Sequence, residues 1–89
     1  FGLVDEAPMR ISVRFGPRVA HLVQERVWHP SQEITLHADG GVGLTLTAGG
    51  TREILAWLYS FVPHVEVLAP PNLRSAFLNG LSECLEHHS

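Results

Sequence analysis

Between Gln32 and Ala48 two runs of alternating apolar and polar residues flank the turn Asp39-Gly40-Gly41. Alternation on both sides of an Asp-Gly dipeptide is the strongest short-range hairpin signal. The pattern predicts Ile34, Leu36 and Ala38 facing inward from the first arm and Leu44, Leu46 and Ala48 from the second. Glu33, Thr35, His37, Thr45 and Thr47 take the opposite face, since side chains alternate along a strand. A lone hairpin is marginal in water, so its apolar face requires further strands and helices.

The rest of the chain supplies them. Met9 to Phe15 alternates without a fault, with Met9, Ile11, Val13 and Phe15 inward and Arg10, Ser12 and Arg14 outward, which predicts a half-buried strand. Gly16 breaks it, and Pro17 suits the first turn of a helix whose Val19, Leu22 and Val23 face inward and whose end falls near Arg26. After the hairpin, Thr51 is the expected cap of a helix that buries Ile54, Trp57, Leu58 and Phe61. Val65 to Leu68 reads as a fourth strand, and Asn72 as the cap of a last helix with Leu73, Phe77, Leu81, Cys84 and Leu85 on one stripe. The order is strand, helix, strand, strand, helix, strand, with one helix more. Right-handed crossovers close this into an α+β, ferredoxin-like βαββαβ sandwich with an additional C-terminal helix. One sheet face is left open, carrying Arg10, Ser12, Arg14, Glu33, Thr35, His37, Thr45, Thr47 and Glu66.

Eighty-nine residues allow one domain, taken as 9–89 after a linker at 1–8 that arrives from upstream. A start at Phe1, without a charged-then-apolar leader, predicts a piece of a longer polypeptide. The formal charge of −3 argues against direct contact with DNA or RNA, whose affinity for proteins is dominated by basic side chains. Cys84 is the only cysteine, so no internal disulfide can form and the cytoplasm is the expected compartment. Apolar runs are too short for a membrane span.

Candidate chemistry is sparse. The six histidines, at 21, 29, 37, 64, 87 and 88, lack ligand spacing, so no metal or other cofactor is expected. Cys84 reads as a small inert hydrophobe on the last helix, with no His or basic neighbour to activate it. Ser60, Ser75 and Ser82 lack a nucleophile-elbow setting, and the glycines at 40, 41, 43, 49 and 50 serve turns instead of a phosphate loop. Arg18 occupies the place where one enzyme class of this topology grips an acyl phosphate, but neither a glycine-rich cradle nor a water-orienting Asn accompanies it. The strands carry Arg, Ser and Thr where RNA-binding sheets carry stacking aromatics. The expectation is therefore a protein without enzymatic activity. Trp28 either plugs the end of the core or anchors a partner.

Several segments together resemble the C-terminal extension (WCX) domain that follows the WYL domain in bacterial helix-turn-helix transcription regulators. They are the strand ending in Phe15, Glu25-Arg26-Val27-Trp28-His29-Pro30-Ser31-Gln32, the Asp39-Gly40 hairpin, Arg52 to Phe61, Val65 to Pro70, and Leu73-Arg74. The chain departs from the pattern at Phe61-Val62-Pro63, where the family usually carries Gly after the aromatic residue. The resemblance implies a ferredoxin-like assembly and signal-coupling module. It would dock on a WYL domain of the same or a neighbouring subunit and form a homodimer, with DNA bound only by an upstream domain. Expected partner contacts are Arg10, Arg14, Arg26, Trp28, His29, Gln32, Thr35 and His37. The alternative is a ferredoxin-like module that binds a small molecule as a dimer.

Overall fold

The computed structural model describes residues 7–89. Of the expected linker, residues 1–6 lie outside this range, while Ala7 and Pro8 are exposed ahead of the first strand. The elements are β1 (Met9–Phe15), α1 (Pro17–Gln24), β2 (Glu33–Leu36), β3 (Val42–Ala48), α2 (Thr51–Tyr59), β4 (Val65–Ala69) and α3 (Pro71–His87). The four strands form one sheet in the order β2-β3-β1-β4, all neighbours antiparallel. This is the ferredoxin-like arrangement with an added C-terminal helix, as the alternation of strand and helix patterns required. Register follows the pleat: Ile11 lies opposite Leu46 and Val13 opposite Leu44, which puts both strands' apolar residues on the helix side.

The core is drawn from every element except β2. Ile11, Val13 and Phe15 of β1 and Val42, Leu44 and Leu46 of β3 are almost wholly buried beneath Ala20 and Val23, Ile54 and Leu58, and Leu73 and Phe77 of the helices. Burial of a large aliphatic or aromatic side chain is worth about 1.5–3 kcal/mol, so this set supplies most of what opposes chain entropy.

Three boundary or packing details differ from the pattern-based expectation. In α1, Ala20 and Val23 face the sheet while Leu22 turns to solvent, 45% exposed. Eight residues make barely two turns, and only a narrow stripe meets β1 and β3. Thr51 is not the cap of α2: Gly50 holds that place with φ 88°, a left-handed conformation that a Cβ would strain, and its carbonyl accepts from Ile54 N–H at 3.0 Å. Asn72 likewise lies inside α3, which is entered through Pro70 and Pro71. At Phe61-Val62-Pro63, α2 ends in tight turns, Phe61 N–H to Leu58 O at 3.1 Å and His64 N–H to Phe61 O at 2.8 Å, without a left-handed cap.

The apolar stripe of α3 is buried only in its first half. Leu73 and Phe77 are buried and Leu81 is half-buried, but Cys84 and Leu85 are exposed. At about 1.5 Å per residue the 17-residue helix outruns the five residues of β4, so its last turns project past the sheet.

Candidate functional site: the open sheet face and the loop behind it

The open face is built on β1. Arg10 and Arg14 stand two positions apart on its outward side, and register places Arg10 opposite Thr47 and Ser12 opposite Thr45. The Arg10 guanidinium donates to Thr47 Oγ1 at 3.2 Å, Thr45 Oγ1 at 3.2 Å and Glu33 Oε1 at 3.3 Å, so one side chain spans three strands. Arg14 pairs with Asp39 of the hairpin turn at 3.1 Å, although its cross-strand neighbour is Glu66. Both ion pairs are solvated, with roughly half of each arginine side chain exposed. Solvent screens pairs of this kind, so they position the guanidinium groups more than they stabilise the fold.

Asp39 ties this face to the turn. Its Oδ1 accepts from Gly41 N–H at 2.8 Å, and that bond, helped by Arg14, holds the carboxyl below its ordinary value. A lowered native value means the stabilisation is fully present above the usual aspartate range and is lost as pH falls through the native value. Asp39→Asn should therefore lower the thermal midpoint at neutral pH, and the difference from the parent should vanish on acidification. A difference that persists at low pH would show that the carboxylate's charge does not matter to the turn.

The connection from α1 to β2 carries the other group of sequence-derived candidates, and its side chains are turned to internal work. Gln32 Oε1 accepts from Trp28 N–H at 2.6 Å and His29 N–H at 3.3 Å, while its amide donates to Arg26 O at 3.4 Å. His29 Nδ1 accepts from Ser31 N–H at 3.1 Å and lies 2.7 Å from Ser31 Oγ. Ser31 Oγ in turn accepts from Thr47 N–H at 2.9 Å, fixing the loop to the end of β3. Trp28 packs as a plug at the end of the core. It is half-buried, its indole N–H donates to Val23 O at 2.9 Å, and its ring lies 5.4 Å from Trp57 and 6.0 Å from Phe61. The Arg26 guanidinium stacks over it at 5.6 Å.

Of the eight candidate contacts, Arg10, Arg14, Thr35 and His37 thus lie on or beside the open face, and Arg26, Trp28, His29 and Gln32 form the loop lock. Sequence reading missed Ser31, although a Ser two residues after a His next to proline is a recognisable turn-forming pattern. It also missed the setting of Cys84. The thiol is exposed and lies 4.0 Å from His88 Nδ1 one turn on, where sequence reading placed it buried and without a histidine. It borders an apolar groove of about 420 Å³ lined by Tyr59, Val62, Gly80 and Leu81.

A polar recess of about 250 Å³ at the end of β1 and β4 is lined by Arg14, His64 and Glu66, without a nucleophile. Arg18 is exposed on the first turn of α1. Among the described residues no group of three or more His, Cys, Asp or Glu is placed to hold a metal ion, and no helix is long and apolar enough to cross a membrane.

These features define an α+β domain with helices on one face of the sheet and a polar, guanidinium-bearing surface on the other. The family model of the WCX domain matches residues 7–85, nearly the whole chain, and the chain belongs to that family. No curated protein matches it.

Proposed function

We propose that this domain is a non-enzymatic regulatory and dimerisation module of a WYL-type bacterial transcription regulator, acting in the cytoplasm. Membership of the WCX family carries this reading. In it, effector sensing and DNA binding belong to domains outside this chain, and the WCX domain couples the two by contacts that differ between the regulator's states. The open face supports the assignment of a docking surface. Arg10 and Arg14 are held half-exposed by threonine and carboxylate neighbours, which leaves N–H donors in fixed positions for carboxylates or carbonyls of a WYL domain.

The test is an intact regulator carrying Arg10→Glu and Arg14→Glu together. The expected result is a loss of effector response in operator binding of about fivefold or more, the low end of ordinary coupling energies, with the domain still folded by circular dichroism. An unchanged response would remove this face from the signalling path.

A further inference from the structure

Among the described residues nothing pairs with the outer edge of strand β2, whose chemistry is symmetrical about its centre. Its four residues are all exposed, including Ile34 at 37% and Leu36 at 70%, although both lie on the helix side opposite Leu44 and Val42. This corrects the expectation that they join the core, and the reason is plain: α1 is short, packs on β1 and β3, and stops before β2. Ala38 is exposed as well, in the turn. Natural edge strands are usually guarded by Lys, Pro, a bulge or a covering element. The segment Glu33-Ile34-Thr35-Leu36-His37 has no Lys or Pro, pairs with β3 without a bulge, and bears two exposed aliphatic side chains.

The backbone sets what can pair there. His37 N–H donates to Gly41 O at 3.0 Å, and hydrogen-bonded pairs alternate along an antiparallel ladder. Glu33, Thr35 and His37 therefore bond inward to β3, and the N–H and C=O groups of Ile34 and Leu36 point out of the sheet. A second antiparallel β2 can meet them in a register with Thr35 on the two-fold axis. Ile34 of each copy then lies opposite Leu36 of the other and exchanges both backbone hydrogen bonds with it. On the polar face, Glu33 of each copy lies opposite His37 of the other. The sequence acid, aliphatic, Thr, aliphatic, His is thus complementary to itself when reversed, which is what an isologous contact demands.

We infer that the β2 edge is a homodimer interface, joining two copies of this chain into one continuous eight-stranded sheet by β2–β2 pairing. This deepens the dimerisation part of the proposed function and uses the edge of the sheet, leaving the Arg10 and Arg14 face free.

The 89-residue chain itself provides the test. In a Cys84→Ser background, Thr35→Cys brings two thiols together across the axis at a non-hydrogen-bonded pair, with Cα atoms about 4.5 Å apart, inside the disulfide range of about 4.4–6.8 Å. Mild oxidation should give a covalent dimer of twice the 9.8 kDa chain mass. Thr45→Cys, on the same face but one strand in, sits at least about 14 Å from its copy and should not cross-link. Sedimentation equilibrium of the parent at about 100 µM should show reversible dimerisation, and Leu36→Lys should raise its dissociation constant about tenfold or more by placing a charge in the pair. A parent that stays monomeric, or a dimer that survives Leu36→Lys and gives no Thr35→Cys cross-link, overturns the inference. Either failure leaves the Arg10 and Arg14 reading standing, because that reading is scored by effector response in the intact regulator.

Discussion

Trp28→Ala is expected to lower the unfolding free energy by about 3 kcal/mol, the low end for truncating a large aromatic, because Trp28 is half-buried and not fully enclosed. The ring closes an aromatic cluster in which Phe15 and Phe61 meet at 4.9 Å, Trp57 and Phe61 at 5.6 Å, and Phe15 and Trp57 at 5.8 Å, all three edge to face. Removing it exposes Trp57 and Phe61 and leaves Val23 O without its indole donor. Trp28→Phe keeps part of the packing and loses the hydrogen bond, so its cost should fall near half as much. Urea unfolding with an unchanged slope measures both. If Trp28 were instead an exposed anchor for a partner, Trp28→Ala would leave the midpoint within about 0.5 kcal/mol, as surface substitutions do. The same experiment therefore decides between the two roles that the sequence leaves open for this residue.

That ambiguity shows where the sequence stops being readable. Strand and helix order, sheet topology and the open face all follow from periodicity, because a period of two or of 3.6 is a local property. Arg10, Arg14, Thr45 and Thr47 fall on the expected face for that reason. What periodicity cannot supply is the extent of cover. The same alternation that buries Ile11 and Leu46 leaves Ile34 and Leu36 in solvent, since the difference lies in how far an eight-residue helix reaches. Cys84 and Leu85 continue the stripe of Leu73 and Phe77 faithfully, yet the sheet ends before they do. The loop lock was hidden for another reason. Its bonds run between neighbours in space and sequence whose residue types, Arg, His and Gln, are as common on binding surfaces as in turns. Family resemblance marks those positions without saying which way they face.

Gly80→Ala should destabilise the domain by about 1–3 kcal/mol, the usual cost of overpacking, although replacing glycine by alanine inside a helix ordinarily gains about 1 kcal/mol. The reason is Tyr59. Its ring stacks on Phe77 with centroids 5.0 Å apart, and its hydroxyl donates to Phe77 O at 3.0 Å across the α2–α3 contact. A Cβ on Gly80 would overlap that hydroxyl and lie 2.9 Å from Tyr59 Cζ. To make room the ring must leave its stack or the hydroxyl its acceptor, and burial, which already pushes the phenol's pKa up, makes an unpaired hydroxyl there costly. Tyr59→Phe removes the nearest obstructing atom and frees the ring to shift away from residue 80, at a cost of about 1 kcal/mol for the lost hydrogen bond. In that background Gly80→Ala should turn neutral or stabilising, as helix propensity then acts with less steric opposition. A double-mutant cycle should give a coupling of about 2–3 kcal/mol between residues 59 and 80, near the top of the range for groups in direct contact. Additive effects within about 0.5 kcal/mol would mean that the α2–α3 contact is loose enough to absorb a methyl group, and that the tyrosine hydroxyl does not set the spacing of the two helices.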